Sequence, residues 1–287
     1  MSAETWPIRR LLSWTEQFLR DKGIESSRLE AQILLAHSLG CKKIDLYVRS
    51  DEEPTDAQRA SFRTLIKGRV EGCPVAYLVG QREFYQLSFD VTPAVLIPRP
   101  ETEFLVVECL RLIKERERPH LVDIGTGSGC IALSIAQQHR TALITATDVS
   151  AEALAVARQN AEKHRLAERV RFIQGDLLAP IAGETFDIVV SNPPYVSDNE
   201  MAALAKDVRE FEPRLALEGG PDGLAVYRRL IAVVSEHLVN GGYLVLEIGA
   251  TQEAAVRELI DKQGCFDSVA VRLDGQKLPR VVVARKK

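Results

Sequence analysis

Hydrophobic residues near the start of the chain recur every three or four positions, which is the spacing of helices with one buried face. This spacing runs from Ile8 through Leu19 and is repeated around Leu34. Residues 54–56, Pro-Thr-Asp, are typical of the start of a further helix. The pattern therefore predicts four or five short helices, and no strand, up to about Val70.

Between this helical part and residue 100 the apolar residues fall into short runs. Residues 76–79 and 84–91 are predicted to be the two strands of a hairpin that turns at residues 80–82. The prolines of residues 92–100 fix the backbone dihedral φ and remove N–H donors, so this stretch is predicted to be extended. Helical spacing resumes at Glu101.

From His120 onward, strand patterns alternate with helical patterns such as residues 131–139 and 151–164. This alternation predicts an α/β fold with a mostly parallel sheet that is covered on both faces. The last two strands are too close in sequence for a helical crossover, so they are predicted to pair antiparallel. The predicted strands are residues 121–124, 143–147, 170–174, 186–190, 243–248, 269–273 and 281–284.

The composition is that of an ordinary globular protein. The 287 residues include 37 Lys and Arg against 40 Asp and Glu, a formal net charge of −3, and 46% of them are hydrophobic. That hydrophobic share can fill a sizeable core, which excludes wholesale disorder. The mildly acidic balance argues against a protein that coats nucleic acid by bulk electrostatics.

Targeting and redox features point to a cytoplasmic protein. No apolar run approaches the ~20 residues that span a bilayer, and the first ten residues lack the apolar core of a secretory signal. The five cysteines are far apart and form no C-x-x-C pair, which favours free thiols over disulfides or a zinc site. We therefore expect a cytoplasmic location, no membrane association and no bound metal.

A glycine-rich loop at residues 122–129, Val-Asp-Ile-Gly-Thr-Gly-Ser-Gly, follows a predicted strand and opens a helix. Such a loop lets the backbone come close to a ligand at a helix N-terminus. A dinucleotide fingerprint would need glycine where Cys130 stands, so the form suits a carboxylate-bearing nucleoside such as S-adenosylmethionine. The alternative is only a tight strand-to-helix turn. The candidate cofactor-binding residues here are Gly125, Thr126, Gly127, Ser128 and Gly129.

Two aspartates follow the next predicted strands. Asp148 could accept hydrogen bonds from both ribose hydroxyls of a nucleoside, or it could cap the following helix, a role that Ser150 could fill equally well. Asp176 could accept from an adenine amino group while Leu177 packs on the ring, or it could be a plain turn aspartate. All of these candidates are placed at strand ends, where ligands of open parallel sheets bind.

The loop Asn192, Pro193, Pro194 and Tyr195 follows the fourth strand of the predicted sheet and is the candidate catalytic group. Two consecutive prolines remove two N–H donors, so the segment presents hydrogen-bond acceptors. The Asn192 side-chain oxygen and the Pro193 carbonyl can then hold the two protons of a planar amino or amide group. Tyr195 offers a flat face for that group. The alternative is that the prolines merely end the strand.

Fixed acceptors suit a nitrogen whose lone pair is delocalised into a carbonyl or a ring. They favour the pyramidal nitrogen that develops as a methyl group is transferred, and each 1.36 kcal/mol of selective stabilisation is about tenfold in rate. A sulfonium methyl donor is already activated, so the sequence requires neither a metal nor a covalent nucleophile.

Together these motifs resemble the HemK/PrmC-type glutamine methyltransferases that modify peptide chain release factors. The Asn-Pro-Pro-Tyr sequence is shared with DNA and RNA amino-methyltransferases, whereas the run Leu96–Glu101 is far more selective. The other segments that carry the resemblance are residues 123–129, 191–195, 211–214 and 219–224. The resemblance covers nearly the whole chain.

The resemblance implies a Rossmann-like class I methyltransferase sheet, S-adenosylmethionine as the methyl donor, S-adenosylhomocysteine as the product, and the glutamine of a release-factor Gly-Gly-Gln segment as the acceptor. It implies that residues 1–72 form a helical domain that binds the release factor, that residues 73–93 form a hairpin linker, and that residues 94–287 form the methyltransferase domain. We expect a monomer that binds no nucleic acid directly. By position, the resemblance implies that residues 125–129, Asp148, Leu177 and Asn192 line the cofactor and that residues 192–195 bind the glutamine. Leu177 departs from the pattern, since some relatives have tryptophan there.

Two other functions stay open on the sequence alone. An adenine or guanine amino-methyltransferase acting on RNA or DNA would share Asn192–Tyr195, although residues 86–287 carry only 24 basic against 28 acidic side chains. A binding module could hold the nucleoside without catalysis. Arg99 and Glu101 form either an ion pair in an exposed linker or part of the substrate site. The spacing of Arg59 with residues 63 and 67 indicates a solvated face or a docking surface.

Overall fold

The computed structural model describes residues 5–287, so the first four residues of the predicted domain 1–72 lie outside the described part. The chain divides into two compact units. One consists of the residues up to Gln81 with Lys206–Phe211, and the other of Arg82–Ala205 with Glu212–Lys287. No helix among the described residues is both long and apolar enough to cross a lipid bilayer.

The helices and strands are numbered in chain order. The helices are α1 (Ile8–Asp21), α2 (Ser27–Leu39), α3 (Asp45–Val48), α4 (Asp56–Glu71), α5 (Val75–Val79), α6 (Glu103–Ile113), α7 (Cys130–Gln138), α8 (Ala151–Lys163), α9 (Asp198–Met201), α10 (Lys206–Phe211), α11 (Ala225–Val233) and α12 (Glu253–Asp261). The strands are β1 (Gln81–Phe84), β2 (Leu87–Asp90), β3 (His120–Ile124), β4 (Leu143–Asp148), β5 (Val170–Gln174), β6 (Phe186–Ser191), β7 (Leu238–Glu247), β8 (Phe266–Leu273) and β9 (Pro279–Lys286).

The first unit is helical, as the spacing of apolar residues predicts. Helix α4 begins after Thr55, whose side chain accepts from the backbone N–H of Gln58 in a capping box. An ion pair between Arg69 and Glu30, 2.6 Å from Nε to Oε2, joins α4 to α2. The buried apolar core of this unit includes Leu19, Leu34, Leu35, Leu46 and Phe62. Arg59 pairs with Glu53 and Asp56, which is the arrangement of a solvated face.

The predicted strand at residues 76–79 is wrong, because Val75–Val79 forms helix α5 and ends at Gly80 with φ 74°. An apolar run this short does not distinguish a helix from a strand. The hairpin consists instead of β1 and β2, which Tyr85 and Gln86 connect with φ of 44° and 66°. Positive φ at both residues is typical of two-residue hairpin turns, so the predicted turn near Gly80 is also wrong.

The second unit is built on a seven-stranded sheet with the order β5-β4-β3-β6-β7-β9-β8. The first five strands of that order pair in parallel, and β9 runs antiparallel to both β7 and β8. The predicted α/β fold with a mostly parallel sheet and an antiparallel end is therefore confirmed. Strand β7 starts at Leu238. The prediction places its start at residue 243, because the glycines at 241 and 242 are unusual inside a strand.

Apolar residues cover both faces of this sheet. Leu121 and Val122 on β3 belong to different buried clusters, as do Ile188 and Val189 on β6, because successive strand residues point to opposite faces. Strand β3 lies between β4 and β6. The chain therefore continues from β3 to β4 on one side and later returns to place β6 on the other side. The carboxyl ends of β3 and β6 therefore form the topological switch point at which ligands of such sheets bind.

Candidate active site

A cleft of about 400 Å³ opens at this switch point. It brings together most of the predicted site residues from four separate segments of the chain. Those that line it are Gly125, Thr126, Gly127, Ser128, Asp148, Asp176, Leu177, Asn192 and Pro194. Gly129, Pro193 and Tyr195 do not line it.

The glycines of the loop have two different physical roles. Gly125 and Gly127 adopt φ of 70° and 56°, and a Cβ at either position would meet no atom within 4 Å. A side chain would therefore be strained and would project into open space where a ligand could approach the backbone. Gly129 is different, because its Cβ would lie 3.1 Å from Leu133 Cδ1 and 3.3 Å from Ala157 Cβ. It allows helices to pack closely and does not contact the cleft.

Asp148 ends β4, and backbone N–H groups hold both of its oxygens. Gly127 N donates to Oδ2 and Ser150 N donates to Oδ1, each over 2.9 Å. Each carboxylate oxygen has a second lone pair for a ligand hydroxyl. The role of helix cap belongs to Ser150, whose hydroxyl accepts from Ala153 N over 3.1 Å. Asp148 is thus fixed at the rim of the loop, and each of its oxygens can accept one further hydrogen bond.

The second predicted acid has a competing partner. Asp176 forms an ion pair with Arg229, and both side chains are about half exposed. Its neighbour Leu177 adopts φ of 51°, which is unusual for a residue with a side chain. The hydroxyl of Thr147 donates to the Leu177 carbonyl over 3.1 Å and holds this conformation. Leu177 is therefore the better-fixed of the two residues.

Asp123 lies beneath the loop, and sequence reasoning did not select it as a site residue. Its Oδ2 accepts from Thr126 Oγ1 over 2.7 Å and from Ala132 N over 3.3 Å. Burial raises the pKa of Asp123 to about 7, and the nearby charge of Asp148 adds to the shift. Among the described residues, Asp123 Oδ1 and Ser128 Oγ are buried without a hydrogen-bond partner. Of the two, Ser128 lines the cleft, and its orphaned hydroxyl is compatible with a polar ligand that completes it.

Asn192 directly follows β6 and faces the cleft beside Pro194. Its Nδ2 donates to Thr102 Oγ1 over 3.1 Å, which turns the amide nitrogen away from a substrate role. The hydroxyl of Ser191 donates to the Ile124 carbonyl over 2.7 Å and ties the end of β6 to the end of β3. This places Asn192 next to the glycine loop.

Tyr195 packs into the protein. Burial raises its pKa to about 12, and its ring belongs to the edge of a buried apolar cluster. Its carbonyl accepts from Gln252 Nε2 over 2.9 Å. A Cβ at Gly219 would lie 2.8 Å from the Tyr195 carbonyl carbon, and a Cβ at Gly223 would collide with the Tyr195 oxygen. The glycines of the 219–224 segment therefore let that segment support the Asn192 loop.

The proline-rich segment before α6 also lines the cleft, and a buried acid fixes it. Glu212 accepts from Ile97 N over 3.1 Å through Oε2 and pairs with Arg99 through Oε1. Arg99 thus pairs with Glu212, and the pairing with Glu101 that the sequence suggested is not formed. Arg99 and Glu212 each lie in a sequence motif, but the spacing of the two motifs did not indicate that these residues form an ion pair.

Thr102 and Glu247 are two further residues that sequence reasoning missed. Both are almost fully buried, at 3% and 1% exposure, behind Asn192. Burial raises the pKa of Glu247 to about 7, against hydrogen bonds from Thr102 and Asn192 that lower it. An acid in the apolar run at the end of β7 was the only signal for Glu247.

The fold is that of class I methyltransferases. The catalytic domain of hMettl16 in complex with a MAT2A 3′UTR hairpin is similar with a TM-score of 0.57 and 18% identity, covering 77% of this chain and 81% of that one. A methyltransferase from Pyrococcus furiosus is similar with a TM-score of 0.50 and 20% identity, covering 69% and 88%. At these identities the likeness shows the fold.

Sequence comparison identifies the particular family. Residues 10–80 match the PrmC N-terminal domain and residues 102–220 match the methyltransferase small domain. The release factor glutamine methyltransferase of Rhodopirellula baltica is 45% identical over 92% of this chain and 91% of its own length. That of Geobacter sulfurreducens is 40% identical over 98% of each. The chain belongs to the release factor glutamine methyltransferase family.

Proposed function

We propose that the protein transfers a methyl group from S-adenosylmethionine to the side-chain amide nitrogen of a glutamine in a release-factor Gly-Gly-Gln segment. The observation that carries this proposal is the single cleft that joins the glycine loop to Asn192 at the ends of adjacent strands. The relatives named for release factor glutamine methylation support the choice of acceptor.

The cofactor side of the cleft fits a nucleoside with a charged tail. The loop backbone of residues 125–128 would lie against the tail, Asp148 would accept from the ribose hydroxyls, and Leu177 would cover the adenine. When bound, S-adenosylmethionine supplies an activated methyl group, and its transfer to an amide nitrogen releases S-adenosylhomocysteine and one amide proton. The orphaned hydroxyl of Ser128, which lines the cleft, supports the fit of a polar ligand here.

The acceptor side has the chemistry that a glutamine amide requires. With its Nδ2 engaged by Thr102, Asn192 is left with Oδ1 as the atom that can accept a substrate N–H. Pro193 itself does not line the cleft, but its carbonyl precedes the cleft-lining Pro194 and would supply the second acceptor, since the prolines bring no donor into this corner. Two acceptors orient the NH₂ group and favour the pyramidal nitrogen of the transition state. Tyr195 supports the loop from within.

We further propose that the helical N-terminal part helps to hold the release factor, as the match of residues 10–80 to the PrmC N-terminal domain suggests. The proposed divisions are residues 1–72 for this part, 73–93 for the linker and 94–287 for the methyltransferase. A variant lacking the N-terminal part should methylate a short Gly-Gly-Gln peptide and lose preference for the whole release factor.

Incubation with methyl-labelled cofactor tests the main proposal. Label should enter a bacterial-type release factor and should be absent from a release factor whose Gly-Gly-Gln glutamine is replaced by alanine. Total RNA and DNA in parallel reactions should stay unlabelled. Label in nucleic acid with none in the release factor would establish the amino-methyltransferase alternative. Tight cofactor binding with no label anywhere would indicate a binding module.

A further inference from the structure

The side chain of Asn192 is anchored at one end only. Its Nδ2 donates to Thr102 Oγ1 over 3.1 Å, and no hydrogen bond within the described residues uses its Oδ1. Thr102 lies in the turn Pro100–Thr102 before α6, far in sequence from Asn192, and is 3% exposed. An amide fixed through its nitrogen alone can be orientated only by the groups that surround that nitrogen.

Glu247 is the other group at this position. Ser191 and Leu246 are register partners on the parallel strands β6 and β7, so Asn192 and Glu247 are the next residues on adjacent strands. Glu247 is 1% exposed, Oε2 has no hydrogen-bond partner among the described residues, and both Thr102 and Asn192 stabilise its charged form. A buried acid with an unused oxygen lowers the stability of the fold. Its presence therefore indicates a role other than stability.

The charged and titratable groups around Glu247 come from several elements. Arg280 on β9 favours its charged form, and Glu101 beside Thr102 opposes it. The phenols of Tyr195 and Tyr227 and the thiol of Cys130 also sense the Glu247 charge. Burial raises the pKa of both phenols and of the thiol, so these groups stay neutral near pH 7. Glu247 is thus the member of this group that changes charge near neutral pH.

A carboxylate only accepts hydrogen bonds, whereas a protonated carboxyl both accepts and donates. Beside an ionised Glu247, the Asn192 amide is stable only with its NH₂ turned inward. A flipped amide would bring two oxygens together inside and would meet the substrate NH₂ with another NH₂. We propose that Thr102 and Glu247 are positioning residues that hold the Asn192 amide in the one orientation that presents Oδ1 to the substrate. This inference rests on the proposed function only for the identity of the substrate.

Replacement of Thr102 tests its proposed role in positioning the Asn192 amide. T102V removes the acceptor at nearly constant shape and should lower the single-turnover rate with saturating release factor by about 10–100-fold. T102S keeps the hydroxyl and should restore most of the rate. Cofactor affinity, measured by calorimetry, should change less than about threefold. The matched control is T15V, since Thr15 is also a buried threonine but lies in the helical unit, where its Oγ1 has no hydrogen-bond partner among the described residues.

Replacement of Glu247 tests its own proposed role in that positioning. Wild-type kcat should fall about tenfold from pH 8 to pH 6 as Glu247 takes up a proton. E247Q both donates and accepts at every pH, so its rate should be low and should lack this step. E108Q is the control, because Glu108 is another buried acid, 4% exposed and ion-paired away from the cleft. It should keep the wild-type pH profile even if its stability is lower.

A spectroscopic measurement separates this inference from the proposed function. The chain has only four asparagines, Asn160, Asn192, Asn199 and Asn240, so selective ¹⁵N labelling gives four side-chain amide signals. The Asn192 signal, assigned by its loss in N192A, should shift with pH near neutrality in wild type and not in E247Q. This result is expected whatever the acceptor proves to be.

Three results would overturn the inference. T102V and E247Q could both retain rates within twofold of wild type at pH 8. T102S could be as slow as T102V, which would indicate a packing role. The Asn192 signal could be independent of pH in wild type. Failure of wild type to methylate release factors would instead refute the proposed function and leave the spectroscopic result to decide the orientation of Asn192.

Discussion

The glycine loop and the Asn192 loop face the same cleft, but they are shaped by different parts of the chain. Gly125 and Gly127 bring the loop backbone to the cleft through positive φ, and Asp148 is fixed by backbone donors. We propose that residues 125–128 and Asp148 bind the cofactor, and we call them the cofactor wall. The acceptor wall consists of Asn192, Thr102 and Glu247, where buried side chains from three segments determine the geometry.

The difference indicates how each wall should respond to change. A wall built from backbone should be sensitive to backbone strain and to added side-chain volume. Damage to it should lower the affinity for the cofactor. A wall built from side chains is vulnerable to the removal of single atoms, and its loss appears as loss of turnover with cofactor still bound.

Removal of the Asn192 amide should have the largest effect. N192A should lower the single-turnover rate about 10³-fold, because the substrate nitrogen loses an acceptor that orients it, while cofactor affinity changes less than about threefold. Quench-flow methylation assays and calorimetry measure the two quantities. N199A is the matched control, since Asn199 is exposed on α9. A rate near that of wild type would refute the catalytic role of Asn192.

A side chain at Gly127 should weaken cofactor binding by at least about 100-fold. The φ of 56° is unfavourable for a β-branched residue, and a valine there would project into the cleft. G183V is a matched control, because Gly183 has φ of 81° and also has open space around its Cβ, but does not line the cleft. It should lose stability and keep its affinity. Equal losses of affinity in both variants would contradict the assignment of the cofactor wall.

The two aspartates of the cleft should differ. D148N should weaken cofactor binding about tenfold, because an acceptor for the ribose hydroxyls becomes partly a donor. D176N should weaken it less, since Asp176 is half exposed and paired with Arg229. Isothermal titration of both variants gives the ranking. A larger effect for D176N would assign the main nucleoside contact to Asp176.

The smallest effect concerns stability. Burial raises the pKa of Asp123 from its ordinary 3.8 to about 7. Between these values the folded protein holds a proton that the unfolded chain has lost, so the free energy of unfolding falls as the pH rises to about 7. D123N should reduce this fall by about 1–3 kcal/mol between pH 5 and pH 8 in urea unfolding. The same fall in wild type and D123N would place the titration elsewhere.

The sheet could be predicted from the sequence because long alternating and helical patterns record burial directly. Residues 170–174 are a strand in both the prediction and the structure, and helix α4 begins where its Pro-Thr-Asp sequence indicates. The strand predicted at residues 76–79 is wrong because four apolar residues fit a helix or a strand equally well. Tyr85 and Gln86 gave no sign of the turn, because they are not the usual residues at positive φ.

The two walls also differ in how far they could be predicted. The cofactor wall follows from local rules, since three alternating glycines after a strand require an unusual backbone. The acceptor wall depends on contacts between distant segments, such as Asn192 with Thr102 and Arg99 with Glu212. No local pattern encodes those pairs. The backbone of Tyr195 likewise lies against Gly219 and Gly223, which are distant from it in sequence.

We propose that the two walls meet at one nitrogen atom, that of the glutamine side chain. Tandem mass spectrometry of a release factor, after reaction with wild type and with N192A, tests it most directly. Fragment ions should place a single added methyl group on the side-chain amide of the Gly-Gly-Gln glutamine with wild type and show almost none with N192A. Methylation at a different residue, or equal methylation by both proteins, would contradict the account.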